Sequence, residues 1–345
     1  MTAKVILNPY SNRWKSQERW SEAEAALKAA GIDFELGLSQ YKGQVVELAE
    51  EAARAGFSPI IAAGGDGTIG EVVNGMARAI NLDHDLLGPL GILPLGSAND
   101  LVTNLKLPTD LSAAAQVIAA GQARLLDVGR LNERFFVNNS AAGLEPSVTI
   151  KHERIQWIKG IARYLVAAVW AIMEKPEWYG EVKWDDGEYN GPLSLVSIGN
   201  APRTGGFYMT PHADPFDGKL TFAFGYRKTR LGLFLALPRA MKPGEGNYVE
   251  LDGMMEVHTT GLTIHLDRPS PAVARQHPGQ ALSRDHGRED DRLPPDPRAE
   301  RKAHPLSEDR AGRRPRGERG DHQGLRIREG QICPDRPQGD RRTQA

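Results

Sequence analysis

The sequence predicts an α/β nucleotide-binding domain, a parallel sheet with flanking helices, followed by a β-rich sandwich domain and a disordered C-terminal tail. Three observations predict this. Over the first third of the chain, short apolar runs alternate with helix-period stretches, the pattern of a mostly parallel sheet with crossover helices. From Ala123 onward, short strand-like runs are separated by turn residues such as Asp185, Asp186 and Gly187, which reads as β structure. After Pro271 the chain is crowded with Arg, Asp, Gly, Pro, Glu and His and sustains no apolar period, so it cannot bury enough apolar surface to offset the entropy of ordering. The expected divisions are residues 1–125, 126–271 and 272–345. The abruptness of the last break, in mid-pattern, favours a shifted reading frame over a natural tail.

In order, residues 4–7 form a first strand that ends in Asn8, Pro9, Tyr10, Ser11 and Asn12. Residues 16–30 are helical, with Trp20, Ala23, Ala26 and Leu27 as one apolar stripe. Gly31 stops that helix. A strand at 34–38 and a helix at 44–55, closed by Gly56, come next. Ile60, Ile61, Ala62 and Ala63 then run into Gly64, Gly65, Asp66, Gly67 and Thr68, after which Glu71, Val72, Val73, Asn74 and Met76 return at helical spacing. This is strand, glycine turn and helix start. A further strand at 91–94 opens into Leu95, Gly96, Ser97, Ala98, Asn99 and Asp100, and a helix over 111–120 stops at Gly121. In the second domain, strands are expected near 125–128, 134–138, 181–184, 193–198, 220–224, 255–258 and 262–265, interrupted by one helix near 155–173.

Three glycines in four positions let the backbone take positive φ and approach a ligand closely. Successive N–H groups in such a turn, with the helix N-terminus behind them, suit phosphate. The plain alternative is a tight strand-to-helix turn with Asp66 as a local cap. Asp66 and Thr68 inside the turn, with Glu71 and Asn74 on the next face, argue for the ligand. The spacing is neither that of the Gly-Lys-Ser/Thr phosphate loop nor that of the dinucleotide fingerprint.

The totals narrow the classes. A net charge of −1 gives no global field toward nucleic acid. The single cysteine, Cys333, excludes an internal disulfide and a cysteine zinc site and suits a reducing cytoplasm. The N-terminus lacks a signal-peptide pattern. The longest apolar segment, 161–173, carries Arg163 and is too short to span a bilayer, so membrane contact is expected to be peripheral. Oligomeric state stays open between monomer and homodimer.

Residues 64–68, GGDGT, resemble the signature shared by diacylglycerol and sphingosine kinases, NAD kinases and phosphofructokinases. The second loop, GILPLGSAND at 91–100, resembles the diacylglycerol kinase catalytic family specifically. NPYSN at 8–12 resembles that family's N-P-x-S-G, with Asn12 in the glycine position. VNNSAAGLEPSV at 137–148 and GNAPRTGGFYMTPHADPFDGKL at 199–220 resemble two of its later segments. The resemblance spans roughly 4–271. It implies an ATP- and Mg2+-dependent lipid kinase with its active site in the cleft between two domains. It places Asn8, Ser11 and Ser39 near the nucleotide, wraps Gly64, Gly65, Asp66, Gly67, Thr68 and Glu71 around the phosphates, and sets Ser97 in the place of an ATP-contacting threonine. Asp66 and Asp100 are the candidate catalytic carboxylates. Asp214 and Lys219 through their carbonyls, with the Asp217 carboxylate, match a structural magnesium site. Oxygen ligands on a turn suit a hard cation. The plain readings are a β-turn for Asp217-Gly218 and a helix N-cap for Asn99-Asp100.

Two elements of that family do not follow the Pro-rich turn at 267–271: an Asp-Gly-Glu segment supplying the catalytic base, and closing strands that return to the first domain. The acceptor implied is a membrane lipid. The rival readings are a soluble-substrate kinase related to NAD kinases and a catalytically inactive nucleotide-binding protein. The kinase reading requires the turns at 64–68 and 96–100 to face each other across one crevice.

Overall fold

The computed structural model describes residues 2–12, 14–80, 86–155, 157–158, 161–174, 177–268, 272–274 and 325–332. These all belong to one compact unit. The first domain runs β1 (Ala3–Leu7), α1 (Lys15–Glu18), α2 (Trp20–Ala29), β2 (Phe34–Leu38), α3 (Gln44–Arg54), β3 (Ile60–Gly64), α4 (Asp66–Arg78), β4 (Leu90–Pro94), α5 (Asp100–Asn104) and α6 (Leu111–Ala119). Its four strands form a parallel sheet in the order β2-β1-β3-β4.

Alternate residues of the central strands serve opposite faces. Ile6, Ile60, Ala62 and Ile92 pack with Val45, Ala49, Val72 and Met76 of α3 and α4. Val5, Leu7, Ile61, Ala63 and Leu93 pack with Ala23, Leu27, Leu111 and Ala115 of α2 and α6. Burial on both faces is why β3 reads as an unbroken apolar run rather than an alternating one. Gly31, Gly56 and Gly121 follow their helices with φ of 75°, 78° and 64°, the left-handed closure expected of them.

The second domain contains β5 (Leu126–Leu131), β6 (Arg134–Phe136), β7 (Asn139–Gly143), α7 (Leu144–Arg154), α8 (Ile161–Glu174), β8 (Trp178–Trp184), β9 (Gly187–Leu193), β10 (Leu195–Gly199), β11 (Arg203–Thr204), β12 (Phe207–Tyr208), β13 (Leu220–Gly225), α9 (Arg230–Arg239), β14 (Met254–Thr259), β15 (Leu262–Leu266), β16 (Ala272–Ala274) and β17 (Leu325–Ile332). A five-stranded sheet, β14-β13-β10-β7-β16, lies against a six-stranded one, β6-β5-β17-β15-β8-β9. Val196, Ile198, Phe222 and Phe224 of the first meet Leu131, Val182, Leu193 and Ile264 of the second in one core, which makes the domain a sandwich.

Among the described residues three α-helices, not one, interrupt this domain. The expected elements include neither α7, whose middle carries the β-branched run Val148-Thr149-Ile150, nor α9, which contains Pro238. Of residues 272–345 the structure describes two strands by their backbone pairing. β16 joins β7, and β17 fills the slot between β15 and β5, although no closing strand was expected from this stretch. The expected disorder of its other residues lies outside the described residues.

Candidate active site

The two turns meet. Strands β3 and β4 are parallel neighbours with Gly64 opposite Pro94, so both loops leave the sheet at the same edge. A methyl group placed on Gly65 would stand 3.0 Å from the Gly96 α carbon. Two glycines are therefore required by close approach of one backbone to another. None of Gly64, Gly65 and Gly67 takes positive φ. Positive φ, one of the roles expected of these glycines, is corrected: at Gly64 and Gly65 it is the missing side chain that the packing requires.

Asp66 caps the other loop's helix rather than its own. Its carboxylate accepts from the N–H of Asp100 at 3.1 Å and of Leu101 at 2.8 Å, the first two amides of α5, which otherwise lack partners. Burial first, and the charge of Asp100 second, hold the Asp66 carboxyl above its ordinary value. Asp100 is 4% exposed. Its Oδ2 accepts from the Gly205 N–H at 2.6 Å, and Arg203 stands 3.5 Å from its Oδ1.

The structure brings Asn8, Ser11, Ser39 and Thr68 to the same edge of the sheet. The Asn8 side chain accepts from the Tyr10 N–H at 3.1 Å and shapes the loop after β1. Asn12 sits at φ 52° in that loop, the conformation glycine would adopt and one that asparagine tolerates. Ser11 and Thr68 share a hydroxyl–hydroxyl bond of 2.9 Å, joining this loop to the first turn of α4. Ser39 is buried, donates its N–H to the Leu7 carbonyl and its hydroxyl to the Tyr41 carbonyl. Glu71 is buried on α4, and Ser97 is exposed on the second turn. Asn74 is not aimed at a ligand. It donates to the Phe135 carbonyl at 2.8 Å and accepts from the Phe135 N–H at 3.0 Å, fastening α4 to β6.

Across the crevice, the β11–β12 hairpin presents Arg203 and Gly205 to Asp100. Asn104 of α5 donates to Asn138 and to the Arg203 carbonyl, and accepts from the Arg203 N–H at 3.2 Å. Thr204, between Arg203 and Gly205, lines a cavity of about 90 Å³ whose other walls come from α7, α8 and α9, with Leu195, Phe207, Met209 and Tyr248 between them. The walls include Leu144, Val148, Ala168, Phe207, Leu233 and Tyr248. Glu145 also lines it, and its carboxylate accepts from Asn139 at 2.9 Å and Ser197 at 2.8 Å. The second-domain segment thus sets a carboxylate, an apolar cavity and the first domain's Asp100 side by side.

The turn at 214–219 is an exposed loop. Asp214 Oδ1 accepts from the Phe216 N–H and Asp217 Oδ1 from the Lys219 N–H, so both carboxylates already shape the turn. Asp127 of β5, 2% exposed, braces it by accepting from the Gly218 N–H at 2.7 Å and donating its own N–H to Pro215. Arg124 lies 3.4 Å over the Phe216 ring. Among the described residues no cluster of three or more His, Cys, Asp or Glu could hold a metal; the turn's candidate ligands are largely carbonyl oxygens. Asp186-Gly187-Glu188 runs from the β8–β9 turn into β9, where Glu188 faces Lys183 at 3.9 Å. It is not the segment expected after residue 271.

Sequence reasoning missed Asp127, Arg203, Thr204, Asn104 and Asn138. Arg203 and Thr204 lie inside the quoted 199–220 segment, directly before its Gly-Gly pair, and that adjacency was their only signal.

Residues 2–131 match the diacylglycerol kinase catalytic domain, and residues 138–282 match the YegS C-terminal NAD kinase beta sandwich-like domain. The chain is 32% identical over 233 residues to a "Probable lipid kinase YegS-like" protein of Chromohalobacter salexigens, covering 66% of this chain and 74% of that protein. It is 30% identical over 221 residues to a "Diacylglycerol kinase" of Staphylococcus epidermidis, covering 64% and 68%. The fold is shared with a crystal structure of a diacylglycerol kinase from Bacillus anthracis, with TM-score 0.65, 19% identity and 97% of each chain covered.

Proposed function

The chain belongs to the diacylglycerol kinase catalytic-domain family, and on that premise we propose that it is an ATP-dependent kinase for a hydroxyl of diacylglycerol, a sphingoid base or a related lipid. The observation that carries this reading is the contact of Gly65 with Gly96 beside Asp100, with an apolar cavity on the far side of Asp100. A backbone cradle that a single Cβ would fill, at the N-terminus of the 13-residue helix α4, fits the phosphates of a nucleotide. Gly64, Gly65, Gly67, Thr68 and Ser97 would hold them, with Asn8, Ser11 and Ser39 toward the rest of the nucleotide.

Magnesium, when bound, neutralises charge on the transferred phosphoryl group. Asp100 is the carboxylate better placed to face it or the acceptor hydroxyl, since its Oδ1 accepts no hydrogen bond while both oxygens of Asp66 are engaged by α5 amides. The turn at 214–219 offers hard oxygen donors for a second, structural ion.

The acceptor is a lipid drawn from a membrane surface. Val169, Trp170 and Met173 of α8 and Leu231 and Leu235 of α9 are exposed beside the cavity their helices line, an apolar face suited to interfacial docking. Among the described residues no helix is long and apolar enough to cross a membrane.

The test is transfer of radiolabelled γ-phosphate from ATP by the purified chain to dioctanoylglycerol, with sphingosine and NAD as rival acceptors. Lipid phosphorylation that Asp100→Asn lowers by about 10²–10⁴ is expected. Phosphorylation of NAD alone would overturn the reading. The absence of an Asp-Gly-Glu segment after residue 271 favours a second reading, an inactive nucleotide-binding protein. ATP binding without turnover on any acceptor would establish it.

A further inference from the structure

Thr204 is buried to 3% exposure, and its hydroxyl oxygen has no hydrogen-bond partner. Its surroundings make that unusual. It lines the cavity beside α7, α8 and α9, where Glu145 is engaged by Asn139 and Ser197 and the Tyr248 hydroxyl by the Met209 carbonyl at 2.6 Å. A hydroxyl held in an apolar wall without a partner is unfavourable to the folded protein, and such a group calls for an explanation. Its neighbours in sequence supply one. The Arg203 guanidinium and the Gly205 N–H both address Asp100. Thr204 therefore marks the junction between the phosphoryl-transfer side of the crevice and the apolar side.

We infer that the Thr204 hydroxyl donates a hydrogen bond to an acyl carbonyl of the acceptor lipid, so that this residue selects ester-linked glycerolipids over lipids of the same length without that carbonyl. The inference rests on the lipid-kinase reading and names its acceptor class. A lipid whose free hydroxyl lies by Asp100 and whose chains enter the apolar cavity presents at the junction the groups between the two, which in a diacylglycerol are its ester linkages. A carbonyl oxygen is an acceptor with no donor of its own, and the threonine hydroxyl is a donor with nothing to donate to. A cavity of about 90 Å³ holds the glycerol end and the first carbons only. The rest of each chain then stays with the membrane, along the exposed faces of α8 and α9. A sphingoid base, with an amine where the diacylglycerol has an ester, offers this hydroxyl no carbonyl.

The test is equilibrium binding of radiolabelled 1,2-dioctanoylglycerol and of its diether counterpart, 1,2-dioctylglycerol, to the full chain, to Thr204→Val and to Thr204→Ser. Binding needs no turnover, so the test does not depend on catalytic competence. The wild-type chain is expected to bind the diester about five- to tenfold more tightly than the diether, the size of one neutral hydrogen bond. Thr204→Val is expected to erase that preference by weakening the diester alone, and Thr204→Ser to keep it. Valine replaces a partnerless hydroxyl with a methyl group, so the melting temperature should not fall; a hydroxyl that serves the fold instead would show as a lower one. Equal affinities of the wild-type chain for the two lipids, or equal loss of both in Thr204→Val, would overturn the inference and leave the kinase reading standing. No saturable binding of either lipid would overturn both.

Discussion

Asp66 is a candidate catalytic carboxylate in the sequence, and in the structure it fastens two loops together. Its two oxygens hold the two leading amides of α5, so Asp66→Asn must turn an NH2 group toward one of those N–H donors. A stability loss of about 1–3 kcal/mol follows, read by urea denaturation. The pH dependence has a definite sign. The folded carboxyl binds its proton more tightly than the unfolded one, because of burial and then the Asp100 charge. Its contribution to stability is therefore greatest below the ordinary carboxylate pKa and is lost as pH rises from there through the raised value. Asp66→Asn should flatten that part of the stability–pH curve, and an unchanged slope would show that another group sets it. Gly65 has an ordinary extended φ of −104°, so alanine there is not strained by its own backbone. Its methyl meets the Gly96 α carbon and must push the turns apart. Gly65→Ala is expected to weaken ATP binding by about tenfold, roughly 1.4 kcal/mol, in a calorimetric titration.

At the scale of elements, Asn74 joins α4 to the β5–β6 hairpin by two bonds to one residue, Phe135. Asn74→Ala should cost about 1–3 kcal/mol in urea unfolding, and Asn74→Asp, which keeps only the acceptor, should fall between alanine and wild type. Its position on the helix face after GGDGT had argued for a ligand; its partner lies 61 residues away, a distance local pattern does not span. The same contrast separates what was legible from what was not. Helix closures at Gly31, Gly56 and Gly121, the strand ends at 60–64 and 90–94, and the meeting of the two turns all follow from local chemistry plus the parallel order of strands. Asp127, Arg203 and Asn104 act through bonds between distant segments. Helix α7, absent from the expected elements, carries β-branched residues, whose weak helical preference is overridden by packing on the sandwich.

For the molecule as a whole, strand β17 is the least local component. It lies between β5 and β15, so the six-stranded sheet is continuous only when residues 325–332 are in place. Ending the chain after residue 274 leaves both neighbours with open edges. The truncated protein should unfold at lower urea and self-associate with rising concentration in sedimentation. An unchanged midpoint and a monomer at all concentrations would show that the sheet does not depend on that strand.

The bonds that cross between the domains, Asp100 to Gly205 and Asn104 to Arg203, reach from a helix start on one side to a hairpin on the other. These bonds tie the two halves together at the crevice, and any clamshell opening would have to break them. The amides of Arg203 and Gly205 should then exchange with deuterium slowly, and at nearly the same rate with and without a bound nucleotide. On the proposed lipid-kinase reading, the acceptor would then reach the cavity along the exposed faces of α8 and α9 rather than through a parting of the domains.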